Sequence, residues 1–116
     1  MPDRFANGDP GNDVVEGMRE GLADRSDRTG RHGGDLKGFK DHLDYLEKMG
    51  YTALWLNPVF ENDMEQASYH GYSITDFYRV DPRLGTNEDF RELSRMARER
   101  GIKMIMDMVF NHIGLF

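Results

Sequence analysis

Asp107-Met108-Val109-Phe110-Asn111-His112 sets a carboxylate, an amide and an imidazole within one short stretch late in the chain. A carboxylate accepts hydrogen bonds or attacks an electrophilic carbon, and an imidazole changes charge near neutrality, so such a trio suits work on a polar substrate. The run before it, Ile102-Lys103-Met104-Ile105-Met106, is short, apolar and bounded by Gly101, as expected for a strand covered on both faces. Polar groups that emerge at the C-terminal end of such a strand stand where parallel α/β proteins, barrels above all, gather their binding and catalytic residues. Taken alone, His112 reads as a buried histidine with satisfied partners more readily than as a ligand contact.

A second cluster is Tyr69-His70-Gly71-Tyr72, followed by Asp76, Tyr78, Asp81-Pro82 and Gly85-Thr86. Aromatic rings with polar tips suit sugars, whose C–H faces lie on a π face while their hydroxyls seek hydrogen bonds. The alternative is a loop packed on its own scaffold. A third cluster joins Asn7, Asp9, Asn12 and Asp13 to Gly33, Gly34 and Asp35. Calcium takes six to eight oxygens from carboxylates, amides and carbonyls, so this set can wrap a cation. It also reads as a pair of Asx turns, since Asn-Gly and Asp-Pro form turns unaided.

The elements that must carry these clusters are periodic from residue 35 onward. Leu36, Phe39, Leu43 and Leu46 recur at helical spacing, with Asp35 as the N-cap and Gly50 as the stop. Residues 51–56 form a β-rich run that ends at Asn57-Pro58. A second helix opens at Thr86 or Asn87, with Asp89 in capping-box position and Phe90, Leu93 and Ala97 as its buried stripe up to Gly101. Helix, strand, helix, strand with short turns after each helix predicts parallel crossovers. The segments that lead from strand into helix, about 5–34 and 57–85, are long, and long loops on one face carry function. Residues 6–34 are also polar enough to read as a linker.

The 116 residues are less than half of the roughly 250 of a (β/α)8 barrel. Fifteen Lys and Arg against 21 Asp and Glu give a net charge of −6, which argues against nucleic acid as a partner. No cysteine is present, so disulfides and thiolate metal sites are excluded. Nothing resembles a signal peptide or a membrane span. A flavodoxin-like domain is disfavoured, because no Gly-rich phosphate loop follows a strand.

In order, MPDRFANGDPGND, GGDLKGF, LWLNPVFEN, YHGY, DFYRVDPRLGT and DMVFNH resemble the α-amylase family, glycoside hydrolase family 13, and within it the neopullulanase and cyclomaltodextrinase branch. The resemblance spans essentially the whole chain. It implies a partial (β/α)8 TIM barrel with parallel strands, from the end of strand 1 to the end of strand 3, as one incomplete domain over residues 1–116. Met1 is then expected to be an internal methionine.

The resemblance implies that His112 hydrogen-bonds the sugar in the cleavage subsite, that Tyr72 stacks beneath the same ring, and that His70 supports them. Asp107 and Asn111 become structural members of the site. Asn7, Asp9, Asn12, Asp13, the Gly33 carbonyl and Asp35 match the branch's N-terminal calcium site, so Ca2+ is the expected cofactor. The nucleophile and acid/base of a retaining hydrolase of α-1,4-glucosidic bonds would come from later strands, so the isolated piece is expected to be inactive and to self-associate through open strand edges. Starch, maltodextrin, pullulan or cyclodextrin is the expected substrate. A transglycosylase or branching enzyme, or a noncatalytic carbohydrate- or partner-binding relative, is the alternative. A periplasmic or secreted bacterial location is expected.

Overall fold

The computed structural model describes residues 1–114. Asp35 opens α2 (Leu36–Asp41) as its N-cap, with a side-chain oxygen that accepts from Gly38 N. The expected single helix over 35–50 is two pieces, because α3 (Leu43–Lys48) starts anew after His42. The reason is local. The His42 ring places Nδ1 2.8 Å from the Gly38 carbonyl, while the His42 backbone N–H bonds Phe39 O at 3.1 Å. The imidazole thus takes the carbonyl that a continuous α-helix would give to the backbone.

Strand β1 (Ala53–Leu56) pairs in parallel with β4 (Lys103–Met106), in the register Ala53↔Lys103 to Leu56↔Met106. Between them α4 (Asn87–Glu99) starts on the predicted capping box: Asp89 N donates to Thr86 Oγ1 at 3.0 Å, and Thr86 N donates to Asp89 Oδ2 at 2.8 Å. The core lies between sheet and helices. Leu36, Phe39, Leu43 and Leu46 meet Leu54 and Leu56 of β1, Leu93 and Ala97 of α4, and Ile102. Because side chains alternate along a strand, Ala53 and Trp55 occupy the other face, and it is bare: Trp55 is 71% exposed and its partner Ile105 is 45% exposed.

Two departures concern the loops. Residues 57–85 hold an antiparallel pair, β2 (Phe60–Glu61) and β3 (Asp76–Val80), where an open loop was expected. At the start, where a strand end was expected, Pro2–Phe5 makes one helical turn, α1. Proline suits the first helical position, where its missing N–H costs no bond. Phe5 leaves that turn to stack on Phe39, with ring centroids 4.3 Å apart.

The linker reading of residues 6–34 fails. Buried carboxylates pin this stretch from both ends: Asp3 accepts from the backbone of His32 and Gly33, and Asp35 accepts from that of Gly8 and Asp9.

Candidate functional site

Tyr72 and His112 come together. Gly71 holds φ +83°, and a Cβ there would meet the Pro58 carbonyl at 2.3 Å, so only glycine lets this turn lie against the end of β1. Asn57 Nδ2 fastens the same turn by donating to His70 O at 3.1 Å. From the other side residues 107–114 run off β4 alongside 72–75, and Gly114 N donates to Ile74 O at 2.7 Å.

Within this junction the Tyr72 hydroxyl donates to Asp107 Oδ2 at 2.8 Å, and His112 Nε2 lies 2.8 Å from the Tyr72 carbonyl. A carbonyl only accepts, so Nε2 carries the proton; Asn111 Nδ2 lies 3.1 Å from the remaining nitrogen, Nδ1, and can donate to it. His70 Nδ1 accepts from Tyr72 N at 2.9 Å, and the two rings stack with centroids 5.9 Å apart. Burial pushes the His70 imidazole down from its ordinary value, against the opposing charge of Glu20, which favours the neutral ring that this acceptor role needs. The hydrogen bond to Asp107 pushes the Tyr72 phenol up and keeps it a donor.

All five residues expected at the sugar site, Tyr72, His112, His70, Asp107 and Asn111, therefore lie in one cluster at the C-terminal end of β4. Tyr72 and His112 are exposed, as a ligand platform needs. Both ring nitrogens of His112 already have partners, so a ligand hydroxyl that bonds it must displace Asn111 or the Tyr72 carbonyl.

The oxygen-rich loop gathers as well. Asn7 Nδ2 donates to both oxygens of Asp13, at 2.8 and 3.0 Å. Gly33, at φ +90°, passes so close that a Cβ would stand 2.9 Å from Asn7 Nδ2 and from Asp13 Oδ1. Asn12 Oδ1 is buried without a hydrogen-bond partner. Burial, followed by the charges of Asp35, Asp9 and Asp3, pushes the Asp13 carboxyl up against the opposing Asn7 hydrogen bond. A buried oxygen without a partner and a neighbouring carboxylate are donor types that calcium accepts.

The fit is uneven. Among the described residues no three His, Cys, Asp or Glu side chains form a metal cage, so amide and carbonyl oxygens must complete the set, as calcium accepts. Asn7 must turn its amide by half a rotation to present oxygen. Asp9 Oδ1 already accepts from Gly11 N at 3.0 Å. Asp35 is chiefly a clamp: Oδ1 accepts from Gly8 N and Gly38 N, and Oδ2 from Asp9 N, which leaves one lone pair on Oδ2 for a ligand role.

Sequence reasoning missed a buried network beneath both loops. Asp81 and Arg83 form a bidentate pair at 2.9 Å for each contact, both 1% exposed. Asn62, Ser68, Arg31 and Asp3 are buried beside them. These residues have no periodicity; the Asp81-Pro82 turn and the stretches MPDRFANGDPGND and DFYRVDPRLGT marked the region without singling out the buried pair.

The family profile for the alpha amylase catalytic domain matches residues 1–115. The chain belongs to the alpha-amylase family. It is 46% identical to neopullulanase 2 of Thermoactinomyces vulgaris over 114 residues, 98% of this chain and 19% of that protein. It is 38% identical to the periplasmic alpha-amylase of Escherichia coli over 126 aligned positions, 98% of this chain and 18% of that protein.

Among solved structures, the cyclomaltodextrin glucanotransferase CldA superposes with a TM-score of 0.91 at 41% identity, over 98% of this chain and 25% of that one. The Geobacillus thermoleovorans alpha-amylase, complexed with acarbose, gives a TM-score of 0.81 at 45% identity, over 98% and 22%. The chain thus spans about a fifth of the curated relatives and about a quarter of the solved chains named here. It is a partial α/β piece of an amylase TIM barrel, with its parallel strands in β1 and β4. No helix among the described residues is long and apolar enough to cross a membrane.

Proposed function

We propose that this chain supplies the sugar platform of a retaining α-glucan hydrolase acting on α-1,4-glucosidic bonds. The observation that carries the reading is the exposed Tyr72–His112 pair, locked by Asp107 at the strand end. The Tyr72 ring offers a π face beneath a glucose unit, with its hydroxyl tied back so that the ring cannot swing. His112 releases one of its contacts to a sugar hydroxyl, and Asp107 and His70 hold the pair in place.

Cleavage with retention needs two carboxyl groups about 5–5.5 Å apart, one attacking the anomeric carbon and one protonating the leaving oxygen. No residue of this chain is assigned either role, so the chain binds and the rest of the barrel cuts. The full protein is expected to release products of retained α configuration from maltodextrin, followed by NMR of the anomeric protons. This chain alone is expected to release none and to sediment as dimers or larger, because a half-paired sheet leaves an open edge. A clean monomer that hydrolyses maltodextrin overturns the division of labour.

The likeness to a glucanotransferase favours one second reading, transfer to a sugar hydroxyl in place of water. Product analysis separates the two. A noncatalytic binding protein is the outcome if the full protein lacks the paired carboxylates. An α-glucan is the partner in both catalytic readings, in keeping with the acarbose bound by one structural neighbour. The name of the Escherichia coli relative supports a periplasmic or secreted location.

Asn7, Asp9, Asn12, Asp13, the Gly33 carbonyl and Asp35 form the proposed calcium site. Bound calcium supplies positive charge that offsets the crowded carboxylates and ties the loop together. Calcium chloride is expected to raise the melting temperature of the chain, with stabilisation growing to about 2.7 kcal/mol at a hundred times Kd. Asn12→Ala should abolish the rise; an unchanged melting curve in the parent chain removes the cation.

A further inference from the structure

The sugar platform rests on buried charge that neither proposed binding role uses. Arg31 is 3% exposed and stands between the two long loops. Its Nε faces Asp3 Oδ1 at 4.0 Å, an ion contact without a hydrogen bond, and Asp3 Oδ1 accepts from His32 N at 3.0 Å and Gly33 N at 3.2 Å. Its Nη1 donates to Ser68 Oγ at 3.2 Å. Ser68 begins the 3-10 turn Ser68–His70 that leads into Tyr72, and it donates to Glu20 Oε2 both from its N–H, at 3.0 Å, and from its hydroxyl.

That turn does not hold itself. Ala67, the residue before it, sits at φ +53° in the left-handed region, which a residue with a Cβ adopts only when its surroundings impose it. The next residue, Ser68, is held by Glu20 and Arg31, both reaching from the first loop. The far side of Tyr72 is fastened separately, by Asn62 Oδ1 accepting from Ser73 N at 2.8 Å.

We propose that Arg31 is a positioning residue for Tyr72. It is a buried strut between Asp3, which fixes the backbone of Gly33, and Ser68, which fixes the turn beneath the sugar ring. Order imposed on the first loop at Gly33 and Asp13 therefore passes to the platform in the second. The role assigned to Tyr72 rests on the sugar-binding reading above; the strut itself does not.

Hydrogen exchange of the chain, read by mass spectrometry with and without calcium chloride and maltoheptaose, tests this. Without additives, Arg31→Met should speed exchange of residues 68–73 by about tenfold, the scale of one lost buried partner, and leave helix α4 unchanged. Arg31→Lys should restore part of the protection. In the parent chain calcium should slow both 7–13 and 68–73, whereas in Arg31→Met it should slow 7–13 only, a loss of transmission that general weakening does not produce.

Parent-like exchange at 68–73 in Arg31→Met overturns the strut, as does a calcium response there that survives the substitution. If Arg31→Met loosens α4 as well, a double-mutant cycle with Ser68→Ala decides, because the Ser68 hydroxyl bonds Glu20 as well as Arg31: an Arg31→Met effect at 68–73 that vanishes once Ser68 is alanine supports the strut, and a fully additive effect overturns it. If calcium slows neither loop in the parent, the cation site falls and the additive-free comparison alone decides. Absence of maltoheptaose protection at 69–73, beside a clear Arg31 effect, sinks the sugar reading and leaves the strut standing.

Discussion

In the full protein that carries this chain, His112→Ala is expected to lower kcat/KM on maltodextrin by about a hundredfold, the scale of one lost transition-state hydrogen bond. Its melting temperature should move little. His112 is exposed, and its partners, the Tyr72 carbonyl and the Asn111 amide, remain able to reach water when the ring is removed. Exposed positions of this kind usually change stability by less than about 0.5 kcal/mol. Steady-state kinetics beside a thermal melt separate the two roles. A drop in melting temperature that accounts for the lost activity would make His112 a packing residue and remove the central support of the functional reading.

Arg83→Met should instead strike the fold. Arg83 and Asp81 are buried together, and the pair also fastens the hairpin, since Asn62 N donates to Asp81 Oδ2 at 3.0 Å and Arg83 Nη2 donates to Asn62 O at 3.1 Å. Removing the guanidinium strands a buried carboxylate, at a cost of about 3–5 kcal/mol in urea denaturation. Replacing both partners by apolar residues should cost less than the single change, because no lone charge remains.

Acid gives a second readout. Burial pushes the Asp81 carboxyl up, but the Arg83 hydrogen bonds and the charges of Arg31 and Arg83 outweigh burial and hold it below its ordinary value. A carboxyl depressed by folding stabilises above its unfolded pKa, about 3.9 for aspartate, and loses that stabilisation as pH falls through the lower folded value. The parent chain should show this acid loss and Arg83→Met should not. A cost below about 1 kcal/mol, with an unchanged acid limb, would reduce the pair to an incidental contact.

Much of this architecture is written in short-range pattern. Thr86 and Asp89 announce the start of α4, Asp35 caps α2, and the apolar run ending at Asp107 delivers its polar tail to the rim where Tyr72 waits. Each of these depends on residues a few positions apart, which is the range over which periodicity and capping speak. The break at His42 escaped because a ring nitrogen competes for one carbonyl, a choice that no hydrophobic pattern records. The β2–β3 pair escaped because β2 is two residues long and its register is set from across the loop. Arg31 and Arg83 look like surface residues by type; beyond the neighbouring Asp81, the partners they meet stand 37 and 63 positions away, at Ser68 and the Glu20 carbonyl.

The chain has a single tryptophan, Trp55, and it stands on the bare face of β1. Its emission is therefore a gauge of what covers that face. A shift toward the blue on concentration reports copies meeting there, and the same shift at high dilution reports additional polypeptide folding over the sheet. One unlabelled fluorophore thus distinguishes assembly from completion.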